Sequence, residues 1–402
     1  MSDVAVAVVG DGPAGSSVAA ELHRRGVDVA LIGPGTSWPA TYATWVDEVP
    51  AHLVDSLAWV TPTTTVAADR LHPLERAYGV FDNDLLATTL RRSVSRLADE
   101  VTSVDERAEP GGLDRGAVVQ LSSGDALNAR LVVDATGWPS ALVSGQGGGQ
   151  KLAFQTAFGV VLEDPPQGDL GAPMFMDVRD VVGRNDASIG RVPTFCYALG
   201  VADGWLVEET VLAAQPAIEP VALVPRLARR LGVPSDDLLD RAVRTEYVRI
   251  PMGVAPTQRT GSVVVMGAGA GYGHPATGFS VAASLRAASR VASAIADADG
   301  HGDDIVDAAA DAVWPRSMRR TRALHDLGLS VLLELDQAGV RQFFDRFFEL
   351  PTEQWAAYLR IDAEPRQVSA AMLGLFRKAP WSLRRRVAVR NPAPLLRALA
   401  GS

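Results

Sequence analysis

At 402 residues the chain exceeds the size at which one hydrophobic core keeps growing, so two cooperating domains in one body are expected. A hydrophobic content of 47% against 21% charged residues excludes a disordered chain, which would lack the apolar side chains needed to offset chain entropy. The formal net charge of −9 is unevenly spread: residues 366–402 hold eight Arg or Lys and no Asp or Glu, so the preceding body is more acidic still and offers nucleic acid no basic groove.

Residues 4–9 form an apolar run that reads as a buried strand, followed at once by Gly10-Asp11-Gly12-Pro13-Ala14-Gly15 and a helical pattern through Arg25. Residues 27–32 read as a second, parallel strand. In such a unit the glycines allow a tight turn and close approach of a pyrophosphate to backbone amides, so dinucleotide binding is expected. An Asp or Glu usually ends the second strand and bonds the adenosine ribose; that place is Gly33 here, which leaves the ribose contact unassigned. Farther on, Leu131-Val132-Val133-Asp134-Ala135-Thr136-Gly137 is another short strand ending in small residues. Residues 153–250 alternate apolar runs with Gly and Pro turns, which predicts a second, antiparallel sheet. Residues 263–267 lead into AGAGYGHPATGF and an Ala-rich helix at about 280–298. From Trp314 onward the pattern is helical, with Phe343, Phe344, Phe347 and Phe348 on one face, a stripe read mainly as core. The basic tail, interleaved with Met372, Leu373, Leu375, Phe376, Trp381 and Leu383, suits either an interfacial helix on an anionic membrane or a helix packed on the acidic body. The N-terminus lacks the basic flank of a signal peptide and no apolar run nears the roughly 20 residues of a membrane span, so a cytoplasmic protein is expected, peripheral at the inner membrane face if the tail is interfacial. The single cysteine, Cys196, forms no internal disulfide, and the six histidines show no ligand spacing, so no metal centre is expected.

Trp38-Pro39-Ala40-Thr41-Tyr42-Ala43-Thr44-Trp45-Val46-Asp47-Glu48 resembles the WPNTYGVWVDE-like segment of the plant and cyanobacterial type of lycopene β-cyclase. The resemblance continues in order through Tyr78-Gly79, Asp134 to Gly137, Gln155 with Ala157 and Gly159, Phe175-Met176-Asp177, Pro193-Thr194-Phe195, Leu206-Val207-Glu208-Glu209-Thr210, Ile250-Pro251-Met252-Gly253, Gly271 to Phe279, and Trp314-Pro315. It departs from the family at Trp205, Val178, Val80, Asn83 and Tyr272. The resemblance implies an α/β fold: a Rossmann-type FAD-binding domain over 1–150 and 250–300, an inserted mixed or antiparallel substrate sheet over 151–249, a helical region over 301–365 completing the pocket, and the basic amphipathic tail at 366–402. It also implies FAD, active in reduced form with NAD(P)H as a reductant, and a hydrophobic polyprenyl or carotenoid substrate whose end is protonated and cyclised without net redox change. The cofactor would lie against Gly10, Gly12, Pro13, Ala14, Gly15, Glu48, Gly137, Met252, Gly267, Gly271, Thr277, Gly278 and Phe279.

Such a reaction needs an acid that stays protonated near neutral pH. Two adjacent carboxyls in an apolar strand supply desolvation and like charge, both of which raise a carboxyl pKa, so Glu208-Glu209 is the candidate pair. Adjacent strand residues point to opposite faces, so only one can face the pocket; the resemblance favours Glu208, which leaves Glu209 to a structural ion pair. Trp45, Trp205, Tyr272 and Val178 are the expected pocket walls, the aromatic ones offering faces to a cation. Asp47 and Glu48 would hold the flavin, take the final proton, or cap and pair structurally, and His274 is either a base or a hydrogen-bonded loop residue. Three other readings stay open: a cyclase of another terpenoid such as a prenylated aromatic, an FAD monooxygenase or prenyl reductase that consumes NAD(P)H, and a carotenoid-binding or membrane-scaffold protein without activity.

Overall fold

The first apolar run becomes the strand Ser2–Val9, which lies between the parallel strands Val29–Ile32 and Ala126–Asp134 in an eight-stranded sheet. The computed structural model describes residues 2–108, 115–143, 152–181, 192–256, 259–301 and 304–379. Val263–Val265 returns to this sheet beside Ala126–Asp134, again parallel, so the late glycine-rich segment reaches the same edge as the early one. Helix Pro13–Arg24 starts with proline in its first turn, where a missing N–H costs nothing. It packs with helix Val281–His301 on one face through Val18, Ala19, Leu22, Ala288, Val291 and Ile295, all with no exposed surface.

The second sheet has seven strands in the order Ala242–Met252, Ala153–Leu162, Gly204–Ala214, Thr194–Val201, Met174–Asp177, Thr64–Ala67 and Leu71–Leu74. All its neighbours are antiparallel except Thr64–Ala67, which runs parallel to Met174–Asp177. Residues 64–74 thus belong to this sheet although they fall inside the segment 1–150 assigned to the nucleotide domain; edge pairing with a distant strand is invisible to local periodicity. Strand Gly204–Ala214 sends Trp205, Val207 and Val211 against helix Val224–Leu231, and Leu206, Glu208, Thr210 and Leu212 toward the other face.

Helices Arg316–Leu332, Gln337–Phe347, Thr352–Tyr358 and Pro365–Lys378 close that other face. Phe343, Phe344, Phe347 and Phe348 are buried in one cluster with Trp45, Tyr78, Phe175 and Trp355. The helix Pro365–Lys378 opens on a capping box between Glu364 and Gln367 and packs Val368, Ala371, Met372 and Leu375 on the same cluster, so the first part of the basic tail rests on the body. Trp381, Leu383 and the rest of the tail lie outside the described residues. No helix among the described residues is long and apolar enough to cross a membrane.

Candidate active site

Four strands align Tyr197, Glu208, Gly159 and Glu246 in one row: Tyr197 opposes Glu208, Glu208 opposes Gly159, and Gly159 opposes Glu246. Directly opposed residues share a sheet face, so the row presents its side chains together. Gly159 leaves the space between the two carboxylates open, since even a Cβ there would lie 3.4 Å from Cβ and Cγ of Glu208. The row borders a cavity of about 480 Å³ walled by Phe175, Phe195, Leu206, Phe279, Phe344 and Phe348.

Glu208 is partly buried and lines the cavity. Burial pushes its pKa up to about 7; the Glu246 charge adds to the rise, while the Thr210 Oγ1–H, donating at 2.8 Å, opposes it. The like charge therefore comes from Glu246 across Gly159 rather than from the adjacent Glu209. Glu209 lies on the opposite face with no exposed surface, accepting from Thr194 Oγ1 at 2.5 Å, Arg226 Nε at 3.0 Å and Arg230 Nε at 2.6 Å. Glu246 is held by Thr41 and Arg244. Tyr197 donates to the Tyr78 hydroxyl at 3.1 Å, and burial above all keeps both phenols neutral.

The WPATYATWVDE segment divides at its last two residues. Glu48 is buried and reaches the cavity wall, where Arg76 Nη2 donates to it at 2.9 Å and Arg286 Nη1 at 3.0 Å. Asp47, one residue earlier in the 3-10 turn, has a side chain 63% exposed and forked onto Arg76, away from the cavity.

None of the four expected pocket walls lines the cavity. Trp45 stands one layer behind, with Tyr78 edge-on at 4.8 Å, Phe175 at 5.1 Å and Arg76 over its ring at 4.7 Å. Trp205 shares strand parity with Glu209 and donates its indole N–H to the Leu170 carbonyl at 2.8 Å on the far face. Tyr272 is buried against Trp314 and donates to the Val313 carbonyl at 2.5 Å. Val178 is fully buried, its N–H bonded to the Ala67 carbonyl, and Phe175 and Met176 form the wall instead. His274 also lies off the cavity. Its Nδ1 accepts from the Ala276 N–H at 3.1 Å, so Nε2 carries the hydrogen and donates to the Tyr358 carbonyl at 2.9 Å. Burial pulls its pKa down to about 3, which makes it a neutral loop clamp rather than a base.

The glycine loops converge beside the cavity. A Cβ on Gly10 would lie 2.4 Å from the Ala135 carbonyl oxygen, one on Gly267 2.8 Å from Ala14 Cβ, and one on Gly269 2.6 Å from the Gly137 carbonyl oxygen, so the three loops interlock only as glycines. Gly12 and Gly137 face open space. Helix Pro13–Arg24 has no side-chain cap at Gly12, leaving its first amides for an anion. These features fit a dinucleotide pyrophosphate on Gly10 to Gly15. Ala268, Thr277, Gly278 and Phe279 line the cavity, whereas Met252 packs behind it with Ala153, Ala213 and Leu329. Gly271 turns away, its carbonyl accepting from Arg322. Asn83 donates to the Trp38 and Ala40 carbonyls and fixes the loop that carries Thr41 and Tyr42 to the cavity.

A family model described as lycopene cyclase protein matches residues 5–385. The chain belongs to the lycopene cyclase family. An uncharacterized carotenoid cyclase of Deinococcus radiodurans is 36% identical to it, over 99% of this chain and 96% of its own. The lycopene beta cyclase of Synechococcus elongatus is 31% identical over 94% of each chain. Among solved structures, a geranylgeranyl bacteriochlorophyll reductase-like protein of Thermoplasma acidophilum matches with a TM-score of 0.69 at 14% identity, covering 96% of this chain and 98% of its own. A probable FAD-dependent monooxygenase of Pseudomonas aeruginosa matches at 0.56 and 14% identity, over 85% and 100%. This lycopene cyclase family member thus shares its fold with a geranylgeranyl bacteriochlorophyll reductase-like protein and a probable FAD-dependent monooxygenase.

Sequence reasoning missed Glu246, Tyr197 and the wall formed by Phe175 and Phe195, named Phe279 for the cofactor, and read Phe344 and Phe348 mainly as core. The first two are fixed by register between strands distant in the chain.

Proposed function

We propose that this member of the lycopene cyclase family is an FAD-dependent carotenoid cyclase that closes the end of a polyene by proton transfer, without net redox change. The observation that carries the reading is a carboxyl, Glu208, crowded by protein and paired with Glu246 across Gly159 so that its pKa rises to about 7, in a cavity lined by aromatic side chains. Glu208 gives its proton to the terminal double bond. The resulting cation draws the electron pair of the neighbouring double bond, one carbon–carbon bond forms, and loss of one ring proton leaves an isomer of the substrate. Glu48 is already engaged by two guanidiniums, so the proton returns to Glu208, which its own donation has left ionised. Phe175, Phe279, Phe344 and Phe348 present aromatic faces, each worth about 0.5–2 kcal/mol against a desolvated cation. FAD, reduced by NAD(P)H, would be held by Gly10 to Gly15, Gly137 and Gly267 and would supply an electron-rich ring to the same cavity.

Incubation of the purified protein with lycopene and reduced flavin, followed by mass analysis, tests the reading. A product of unchanged mass is expected; a gain of two hydrogens or one oxygen would overturn it in favour of a redox flavoenzyme.

The pH dependence carries a second expectation. Activity requires protonated Glu208 and should fall as pH rises through about 7. Glu246→Gln removes the like charge, so that limb should move to lower pH by up to about one unit, burial remaining the larger cause. A pH–rate profile with an unmoved limb would exclude the coupling.

A further inference from the structure

The end of the second strand, where the ribose-binding carboxylate of a dinucleotide unit usually stands, is Gly33 in this chain. The volume beside it is taken by another residue. A Cβ built on Gly33 would lie 2.6 Å from Cγ and 2.7 Å from Oδ1 of Asp11, the residue between Gly10 and Gly12. A carboxylate at 11 and a side chain at 33 therefore exclude each other.

Asp11 is 6% exposed and firmly held. Its carbonyl accepts from Ser16 Oγ at 2.8 Å and Trp38 Nε1 at 3.2 Å. The carboxylate contacts gather on Oδ2, which accepts the Gly35 N–H at 3.0 Å and lies 3.3 Å from Arg91 Nη2 and 3.5 Å from Arg96 Nη2. Oδ1 has no hydrogen-bond partner among the described residues. Gly35, Arg91 and Arg96 also line an open cleft of about 460 Å³ with Thr36, Ser37 and Thr88, room on the scale of a small-ligand site.

We propose that Asp11 supplies the carboxylate for the adenosine ribose of FAD, taking over from the second-strand position that Gly33 has vacated. A ribose diol offers two O–H donors, and an anchored anion with one unclaimed oxygen forms the charge-assisted bond such a diol needs. This assignment rests on the FAD reading above.

Flavin-free full-length protein is titrated with FAD, following flavin fluorescence, and with ADP or 2′-deoxy-ADP as competitor. Asp11→Asn should weaken FAD binding by about 10–100-fold, the loss expected for one hydrogen bond to a charged group, in a flavin-free protein that still unfolds cooperatively but melts lower, because Arg91 and Arg96 lose their partner charge. Wild type should favour ADP over 2′-deoxy-ADP, and Asp11→Asn should lose that preference. The exchanged pair Asp11→Gly with Gly33→Asp should recover most of the FAD affinity. Unchanged FAD affinity in Asp11→Asn, an ADP preference that survives in it, or a well-folded exchanged pair without recovery would each overturn the assignment. A wild-type protein that takes up no FAD would overturn the flavin reading itself, and the Asp11 assignment with it.

Discussion

Glu208→Gln is expected to lower turnover by about 10²–10⁴-fold, the range for loss of a general acid, while the protein keeps its flavin. Glutamine preserves side-chain volume and can still accept from Thr210 Oγ1, so the cavity should keep its shape and only the acid is removed. The fall should appear in kcat more than in KM, because the proton is needed in the transition state and contributes little to holding an apolar chain. A stability measurement gives the same residue a second signature. The folded state raises the Glu208 pKa to about 7, so its stabilising contribution is complete below the ordinary carboxyl range and is lost as pH rises through about 7. By pH 8 that loss is roughly 2–3 kcal/mol, toward the lower figure if water enters the cavity. A neutral glutamine escapes it, so the variant should gain on the wild type between pH 5 and pH 8 in urea melts. Near-normal turnover in Glu208→Gln would mean that another acid starts the reaction.

The parts of this architecture that were legible before the structure depend on neighbours in sequence. Gly10-Asp11-Gly12-Pro13-Ala14-Gly15 between an apolar strand and a helix is a local pattern, and so is the alternation that separates Glu208 from Glu209. The same alternation also applies to Trp205, three residues before Glu208, and places it on the far face with Glu209, so its aromatic ring is no pocket wall. Tyr272 and Val178 are both core, which residue type alone does not distinguish from a pocket wall. Asp47 and Glu48 could not be separated by periodicity, because a 3-10 turn rather than a strand or α-helix carries them. Glu246 becomes the electrostatic neighbour of Glu208 only through pairing across Gly159, a register that no local window contains. The Phe343 to Phe348 stripe was legible as buried; that Phe344 and Phe348 also wall the cavity depends on where the helix docks.

Glu209→Gln should behave in the opposite manner to Glu208→Gln: a large loss of stability, with the surviving folded fraction still turning over. Glu209 faces helix Val224–Leu231, which brings Arg226 and Arg230 to it with side chains only 12% and 7% exposed. Burial alone would lower the Arg230 pKa, yet the charge and hydrogen bond of Glu209, together with Cys196 and Asp177, outweigh it and raise the pKa. Removing the carboxylate charge would leave Arg230 with Asp177 at 3.7 Å, and Arg226 with the Thr194 hydroxyl at 2.6 Å. Neither contact replaces the lost charge on this face. Breaking one side of a buried ion pair typically costs about 3–5 kcal/mol, a large fraction of the 5–15 kcal/mol that holds a domain folded. The denaturation midpoint of Glu209→Gln should therefore fall sharply, while Glu208→Gln at pH 5 should unfold within about 1 kcal/mol of wild type. If Glu209→Gln instead unfolds like the wild type and loses turnover, the two carboxyls have exchanged roles, and the acid of this cyclase lies on the helix-covered face of the strand.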